Sequence, residues 1–471
     1  MTPAILNFLG KQKSRPAALF FLVVIALLLR LYKLETLFNF DYDAAFQAQY
    51  AYQLLANHKF SLVGQELSFQ GFFLGPVHSL VEAVPYFFCN LSPACTPYFF
   101  ASIGFLTGVM FYLLFRRILG PKVTFLAVFI YLISYAQIKY EMGVNSNNLI
   151  IPTVLLSLFC LVKYFGNKNK FLVPGSFLLG LAVINFNPVV VLFAVAFAIA
   201  ALLRPKRNYR IFIISIFAFL LNLLPLLIFN LRHENLLITN FIKFLAINSQ
   251  PHDYLFKSGE LIWNNLLPFY LNYLSIGANI ITKLGLIIVL VIGLIYLKND
   301  LKNKRIFWFF AGLIIIYILG FTLYASHVPP YYFTATLPIF LLIIATAIVK
   351  YKLPLIIFIV AFTILNVTAL ARSSSQISYK YKNQAVRYII EDSRDKSFKL
   401  YNDMAIGANT GYNTLFKIYG KEPKEEGELL YIMDLLSDKT IEIKTLRYRW
   451  IYGEKNLVEK DFGAIHVTAV K

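Results

Sequence analysis

The sequence has few charged residues and few cysteines. Asp, Glu, Lys and Arg make up only 14% of its 471 residues, against about 25% in soluble proteins. Its three cysteines are too few for a disulfide-rich scaffold. Cys160 lies inside an apolar run, whereas Cys89 and Cys95 lie close together, and the sequence leaves open whether they pair. No glycine-rich phosphate loop and no Cys/His zinc spacing is present. An ordinary soluble domain and a zinc enzyme are therefore disfavoured.

Apolar residues, by contrast, are abundant and occur in long blocks. They make up 58% of the chain, in runs of about 17–20 residues, which is long enough to cross the hydrocarbon core as helices. We predict about eleven spanning helices in an all-α polytopic membrane protein. The predicted spans are residues 17–34, 97–115, 123–138, 149–166, 171–186, 188–203, 211–229, 278–297, 306–324, 331–349 and 353–371.

The net charge of +20 is distributed as a topology signal. Of the 28 Lys and Arg residues in 1–372, 19 fall in alternate short loops between the predicted spans. The positive-inside rule places those loops and the N-terminus in the cytoplasm. A nucleic-acid partner is disfavoured, because the charge follows the loops and forms no single patch. The acids of this region show the opposite bias. Apart from Asp300, we expect all of them, including Glu82 and Glu141, at or beyond the outer face of the plasma membrane.

Two outer segments, 35–96 and 230–277, are too long to be simple connections, and long loops are often functional. Both are amphipathic, and we expect interfacial helices in them. One is predicted at residues 44–56, with Asp43 as its N-cap. From residue 373 the charged fraction rises. We therefore divide the chain into a membrane part, 1–372, and a small extracytoplasmic α/β domain, 373–471. In that domain we predict a helix near 381–392 and strands at 429–433, 441–443 and 464–467.

The clearest chemical motif is Phe40-Asp41-Tyr42-Asp43, directly after the first predicted span. Ionised groups near the hydrocarbon boundary are costly and are often functional. Partial desolvation would raise a carboxyl pKa toward the range that suits a general base. Helix capping by a solvated aspartate is the alternative interpretation.

An acidic motif after the first span, a long first outer loop and many spans resemble the type C glycosyltransferases. More specifically they resemble family 39, which contains the protein O-mannosyltransferases and the lipid A aminoarabinose transferases. Four further stretches resemble bacterial members in matching order: residues 71–76 (GFFLGP), 144–148 (VNSNN), 229–233 (FNLRH) and 327–332 (HVPPYY).

This resemblance implies transfer of a sugar from a polyprenyl-phosphate carrier to an acceptor at the outer face, with inversion at the anomeric carbon. An acid of the first outer loop would serve as the base, and by position this is Asp41. The family's usual Asp-Glu pair is replaced here by Asp-Tyr-Asp, so Asp43 stays an alternative. The acceptor is a hydroxyl of a lipid, a glycan or a protein.

The leaving phosphate needs fixed positive donors. We expect Arg232 and His233 to supply them, although snorkelling to lipid headgroups is an equal alternative for both. Lys59, Arg372 and Arg30 are weaker candidates, and Arg30 is expected to snorkel.

Several neutral side chains are candidates for contacts with the sugar or its carrier. Asn145 and Asn148, together with Asn147, would bind sugar hydroxyls or join helices, and helix capping is the favoured interpretation. His327, Tyr331 and Tyr332 would line the carrier groove. We expect no required metal, although Asp41 and Asp43 could hold Mg²⁺.

Two other functions fit a polytopic chain of this kind. One is a transporter or lipid flippase, and the other is a polymerase or ligase of surface polysaccharide. Transporters usually carry ionisable residues or broken helices near the bilayer midplane. The predicted spans are almost free of charge, which favours chemistry at the outer surface.

Overall fold

The computed structural model describes residues 15–67, 71–204, 208–248, 254–301, 303–324, 328–405, 407–436 and 441–471. Most of these residues are helical. The helices up to the long loop at 274–279 are α1 (Arg15–Leu31), α2 (Leu34–Leu37), α3 (Tyr42–Leu55), α4 (Val77–Phe88), α5 (Thr96–Phe115), α6 (Pro121–Ile133), α7 (Tyr135–Met142), α8 (Ile150–Phe165), α9 (Leu172–Asn185), α10 (Val191–Leu202), α11 (Tyr209–Leu220), α12 (Leu224–Arg232), α13 (Leu236–Asn248), α14 (Tyr254–Glu260) and α15 (Leu267–Tyr273).

The remaining elements combine long helices with a sheet. The helices are α16 (Ile280–Asp300), α17 (Lys304–Thr322), α18 (Leu337–Val349), α19 (Lys352–Arg372), α20 (Tyr379–Ser393), α21 (Tyr412–Ile418) and α22 (Ile441–Tyr452). The strands are β1 (Phe398–Asn402), β2 (Leu429–Leu435), β3 (Leu457–Phe462) and β4 (Ile465–Val470).

Apolar helices occupy the positions of all eleven predicted spans. Within the described residues, seven helical segments are long and apolar enough to cross a membrane, and α6 with α7 forms an eighth if this pair, bent by 55°, is one span. The seven segments are Pro93–Phe115, Ser146–Phe165, Tyr209–Arg232, Ile280–Asp300, Lys304–Thr322, Pro330–Val349 and Lys352–Arg372. The three others are shorter apolar helices: Phe20–Leu31, Asn169–Asn185 and Pro188–Leu202. The chain is therefore a polytopic membrane protein.

A break at Asn187 separates α9 from α10, the helices of the fifth and sixth predicted spans. The Asn187 side chain accepts the Val189 backbone N–H at 3.0 Å, and Pro188 follows it at the start of the next helix. Proline cannot continue the preceding helix but suits the first position of a new one. The predicted division between 171–186 and 188–203 is thus correct.

A buried ion pair lies inside the apolar bundle. The Arg30 Nε donates to Glu141 Oε2 at 2.7 Å, and its Nη1 donates to the Leu132 carbonyl at 2.7 Å. Arg30 is fully buried and Glu141 is 3% exposed. The expectations that Arg30 snorkels and that Glu141 faces the outer solvent are therefore wrong. The two charges satisfy each other, and a Cβ at Gly104 would lie 2.0 Å from the Glu141 carboxyl carbon, so that only glycine leaves them space.

Tertiary hydrogen bonds hold the bend between α6 and α7. Ser134, between the two helices, donates its hydroxyl to the Tyr273 carbonyl at 2.7 Å. The Asn366 side chain accepts the Tyr135 N–H, also at 2.7 Å. Two helices from distant parts of the chain, α15 and α19, therefore fix the direction in which α7, and with it Glu141, leaves the bend.

The first outer segment folds as helices joined by an extended turn. Helix α3 packs on α4, and an isolated antiparallel bridge joins Glu66 to Phe73 between them. Cys89 and Cys95 form a disulfide directly before α5, which settles the pairing that the sequence left open. Free Cys160 is buried in α8.

The C-terminal residues form a four-stranded sheet in the order β1-β2-β4-β3. Strands β1 and β2 are parallel, and β4 is antiparallel to both of its neighbours. Helix α20 and strands β2 and β4 match the predicted elements. The predicted strand at 441–443 is wrong, because these residues begin α22. A run of three alternating residues is too short to distinguish a strand from an exposed helical turn.

We predict that Arg30→Met lowers stability by about 3–5 kcal/mol, because it leaves the Glu141 carboxylate buried without a counterion. Unfolding in detergent micelles measures the change. The double variant Arg30→Met/Glu141→Leu should recover most of this loss, since it removes both charges. A double variant as unstable as the single one would show that loss of the charge pair is not the cause.

Candidate functional site

The acid motif, residues 40–43, covers the end of the turn that follows α2 and the first two residues of α3. Asp41 is the N-cap of α3: it has an extended backbone, and its side chain accepts the Ala44 N–H at 3.2 Å. The expectation that Asp43 caps this helix is therefore wrong. Asp43 lies in the first turn instead, and its Oδ1 accepts a hydrogen bond from the Gln65 amide. Asp41 is accessible to solvent and Asp43 is partly buried.

The electrostatics of the two aspartates suit a proton acceptor. Loss of hydration raises the pKa of Asp41, while the Lys382 charge and the Ala44 N–H oppose the rise. Burial and then the neighbouring Asp41 charge raise the pKa of Asp43. Among the described residues, a lysine charge lowers the pKa of Asp41, and no lysine has this effect on Asp43.

The C-terminal domain, residues 373–471, encloses this motif from one side. The Tyr379 N–H at the start of α20 donates to the Phe38 carbonyl at 2.8 Å. The Phe40 ring lies against the Tyr379 ring at 5.8 Å between centroids. The Lys382 ammonium donates to the Phe40 carbonyl at 2.9 Å. Residues more than 330 positions away in the sequence thus hold the backbone that carries Asp41.

A buried polar cluster, Gln47–His78–Glu82, lies beside the aspartates. Gln47 is one helical turn after Asp43 on α3, so both side chains lie on one face. Its amide contacts His78 Nδ1 at 3.1 Å, and His78 Nε2 lies 3.8 Å from Glu82 Oε2. Neither Glu82 oxygen has a hydrogen-bond partner in the described chain.

Burial favours the neutral forms of His78 and Glu82. It lowers the pKa of His78 to about 4. It also raises the pKa of Glu82 well above its usual value, and the charges of Asp43 and Asp41 add to this rise. A carboxyl group that is fully buried and unpaired in its charged form would be very costly. Burial therefore favours the protonated form of Glu82.

Lys59 lies beyond the C-terminal end of α3 and not at the aspartates. It lines an open groove of about 300 Å³ together with aromatic, amide and hydroxyl side chains. The other lining residues are Phe46, Gln49, Tyr50, Gln53, Phe60 and Ser61. Phe46 and Tyr50 follow Asp43 at i+3 and i+7 on the same helix, so the groove runs along α3 from the acid motif.

Two of the sequence motifs meet at the second outer segment. The Phe73 ring of the GFFLGP stretch lies 5.7 Å from the Phe229 ring of the FNLRH stretch. His233 stacks on Phe229 at 4.0 Å, and its Nδ1 lies 2.8 Å from the Phe229 carbonyl. Arg232 is exposed at the end of α12. The structure therefore brings Arg232 and His233 to the Phe73 stretch of the first outer segment. The Leu74 N–H of this stretch donates to the carbonyl of Gln65, whose amide donates to Asp43.

The asparagine motif has the capping role that the sequence favoured. Asn145 accepts the Asn147 N–H at 3.1 Å, and the Asn148 amide donates to the Gly143 carbonyl. The Asn187 amide donates to Asn147 Oδ1 at 2.7 Å, which ties the motif to α10. The Asn148 side-chain oxygen is buried without a hydrogen-bond partner among the described residues.

The tyrosine motif reaches the site through one of its members. Tyr331, which is 38% exposed, lies close enough to Asp43 for an electrostatic interaction with its carboxylate. Tyr332 is stacked on Phe321 at 5.8 Å and belongs to the bundle. His327 lies outside the described residues.

The described chain holds no group of three or more His, Cys, Asp or Glu side chains arranged for a metal ion. Asp41 and Asp43 bring two carboxylates to one turn, and Gln65 and Ala44 already occupy an oxygen of each. Each of the two carboxylates therefore has one oxygen that already accepts a hydrogen bond from the protein.

Comparison with solved structures identifies the fold. ArnT from Cupriavidus metallidurans bound to undecaprenyl phosphate matches with a TM-score of 0.63 and 11% identity, over 96% of this chain and 98% of that one. The apo state of the same protein gives 0.64 and 10%, with the same coverage. The chain adopts the type C glycosyltransferase fold. The fold predicted from the motifs is therefore confirmed.

Other comparisons add little. The oligosaccharyltransferase AglB from Archaeoglobus fulgidus, in complex with an inhibitory peptide and a dolichol-phosphate, matches with a TM-score of 0.47 and 11% identity over 95% of this chain and 74% of that one. No protein-family model matches the sequence. No curated protein matches it either.

Sequence reasoning missed Lys382, Gln47, His78 and Glu82. Lys382 is one of 16 Lys and Arg residues in the tail, and nothing in its local pattern distinguishes it from exposed ones. Glu82 did carry a signal, since it is a lone acid within the apolar run of α4. A single acid in such a run is expected to be either paired or protonated.

We predict that Glu82→Gln changes how stability depends on pH. Because the folded-state pKa of Glu82 is raised, its contribution to stability is complete below the unfolded-state pKa of about 4.3 and is lost as the pH rises through the folded value. Glutamine keeps the shape without a titrating proton. The melting temperature of the variant minus that of the wild type should therefore increase from about pH 5 to about pH 8.

The matched control for this change is Glu425→Gln, at an exposed position of the C-terminal domain. Its melting-temperature difference should stay flat over the same range. Identical pH dependence in the two variants would contradict the buried, protonated state of Glu82.

Proposed function

We propose that this protein is a membrane glycosyltransferase that moves a sugar from a polyprenyl-phosphate carrier to an acceptor hydroxyl, with inversion at the anomeric carbon. The observation that carries the proposal is a pair of aspartates in the turn after the first apolar helix, one of them beside a buried lysine, in a chain with the type C glycosyltransferase fold.

Asp41 is the favoured base, with Asp43 as the alternative. The acceptor hydroxyl loses its proton as its oxygen attacks the anomeric carbon, and a carboxylate within hydrogen-bond reach takes up that proton. A base must be ionised before the reaction. The positive charge of Lys382 favours the ionised form of Asp41, whereas Asp43 has the Asp41 charge beside it.

The carrier leaves as a phosphate that gains charge when the glycosidic bond breaks. Arg232, His233 and Lys59 are the proposed donors to this phosphate, and Tyr331 and Tyr332, with His327, are proposed to line the path of the prenyl chain. Undecaprenyl phosphate is the molecule bound to ArnT in the structural match. No metal is assigned to the reaction.

We place the acid motif and residues 373–471 on the extracytoplasmic side of the plasma membrane, and the N-terminus in the cytoplasm. The sidedness of the basic loops supports this orientation. The hydrogen bonds between α20 and the turn before Asp41 support it further, because they require the tail and the motif to lie on the same side.

A transporter is the second interpretation, since the Arg30–Glu141 pair puts two ionisable residues inside the bundle. Both side chains are nearly inaccessible, at 0% and 4%, and Arg30 has further bonds to backbone carbonyls. These properties describe a packed structural pair and not an ion path. A polymerase or ligase of surface polysaccharide would share the compartment, and its donor would distinguish it.

We predict that Asp41→Asn lowers the rate of sugar transfer by at least about 10²-fold. Asparagine is as good an N-cap as aspartate, so the variant should keep the fold and lose only the ionisable group. Transfer from a panel of undecaprenyl-phosphate sugars to an acceptor lipid, in proteoliposomes, measures the loss.

Two controls accompany this assay. Asp395→Asn, at an exposed position of the C-terminal domain, should transfer at the wild-type rate. Undecaprenyl phosphate, but not undecaprenol, should raise the melting temperature of both the wild type and Asp41→Asn. Full transfer by Asp41→Asn together with loss by Asp43→Asn would move the base to Asp43, and full transfer by both would reject the mechanism.

The orientation gives a separate prediction. A protease added outside intact spheroplasts should remove an epitope tag placed after Lys471, whereas a tag before Met1 should stay protected until the cells are lysed. Protection of the C-terminal tag would invert the orientation and place the aspartates in the cytoplasm.

A further inference from the structure

Lys382 is a buried lysine with an unusual set of partners. It is 2% exposed, and its ammonium donates to two backbone carbonyls, Phe40 at 2.9 Å and Thr410 at 2.8 Å. It also lies 5.3 Å from the centroid of the Tyr412 ring. Lysine is almost never fully buried unless its charge is paired. The buried charge of Lys382 is therefore expected to have a structural or functional role beside Phe40 and Thr410.

The two carbonyls belong to parts of the chain that are distant in sequence. Phe40 directly precedes Asp41, and Thr410 lies in the loop before α21 in the C-terminal domain. This loop is packed closely on the turn, since a Cβ at Gly411 would lie 2.6 Å from the Phe40 ring. One ammonium group thus joins the acid-bearing turn to the domain that covers it.

The same ammonium acts electrostatically on the first aspartate. The Asp41 charge opposes the effect of burial on Lys382, whose pKa burial lowers to about 8. In return, the Lys382 charge favours the ionised carboxyl of Asp41. Two other described carboxyl groups respond to this one, Asp43 on the same helix and Glu82 on α4, and the Asp41 charge raises the pKa of both.

We propose that Lys382 is a positioning residue of the candidate site: its hydrogen bonds fix the backbone before Asp41, and its ammonium brings a positive charge to the turn that carries this carboxyl, so that docking of the C-terminal domain completes the base. This inference rests on the proposed function for its role in catalysis. Its physical content, a charge that acts on Asp41 across a domain contact, holds for any reaction at the site.

The test separates the charge of Lys382 from its hydrogen bonds. Lys382→Gln keeps an N–H donor for the carbonyls and removes the charge, whereas Lys382→Arg keeps both. Labelling by a hydrophobic carbodiimide, which reacts with a protonated carboxyl, is followed at Asp41 by mass spectrometry against pH. In Lys382→Gln the midpoint should rise by about one pH unit, while Lys382→Arg should keep the wild-type midpoint.

Lys399→Gln is the matched control, because it removes one positive charge from an exposed position of β1 in the same domain. Its Asp41 midpoint should equal that of the wild type. An unchanged midpoint in Lys382→Gln, or an equal shift in Lys399→Gln, would overturn the proposal. If Lys382→Gln does not fold, as judged by its melting temperature, a folded Lys382→Arg with a shifted midpoint would overturn it equally.

A second measurement separates this proposal from the proposed function. In the transfer assay, the acid limb of the pH–rate profile should move to higher pH in Lys382→Gln by the same amount as the labelling midpoint. A shifted midpoint in a protein whose wild type transfers no sugar from any lipid donor would reject the glycosyltransferase and leave the role of Lys382 intact. Normal wild-type transfer with no shift would reject only the role of Lys382.

Discussion

The site depends on the conformation of one short turn, residues 38–41, between the first apolar helix and α3. The turn makes few bonds within its own segment, and the C-terminal domain supplies the rest, through the Tyr379 N–H and the Lys382 ammonium. Aromatic packing of Phe38, Phe40 and Tyr379 excludes water from these bonds. Hydrogen bonds are stronger in such surroundings, so this contact fixes the direction in which Asp41 leaves the turn.

The molecule buries polar side chains in two different ways. Arg30 and Glu141 satisfy each other inside the bundle. Gln47, His78 and Glu82 leave several polar atoms unpaired beside the aspartates. The first arrangement is a structural contact with its charges paired. The neighbouring helix α5 leaves space for it, because any side chain at Gly104 would collide with the Glu141 carboxyl group. The second is incomplete by itself, and unsatisfied buried groups are commonly found where a protein binds water or reacts.

Residues 373–471 contact the turn that carries Asp41 and bring the Lys382 charge to it. An aspartate at a membrane surface loses hydration and tends to hold its proton, which would disable it as a base. The Lys382 charge opposes this tendency at Asp41, whereas the Asp41 charge adds to the rise in the pKa of Asp43, so that the two aspartates have different electrostatic surroundings. The same pattern, two carboxyls whose surroundings separate their pKa values, is how acid and base roles are commonly assigned in enzymes.

The sequence by itself determined the apolar helices, the division at Asn187, the acid motif and the change of composition after Arg372, because each of these depends on local pattern or on composition. It misplaced the environment of Arg30, because local pattern does not reveal which distant group becomes a partner. It also misplaced the cap of α3 and the element at residue 441, because the exact ends of elements and runs of three residues carry too little local signal. Only the tertiary structure decided that Lys382 meets Phe40 and that Gln47 meets His78. These contacts join segments whose separation along the chain leaves no periodic signal, and burial created their energetics once the helices had packed.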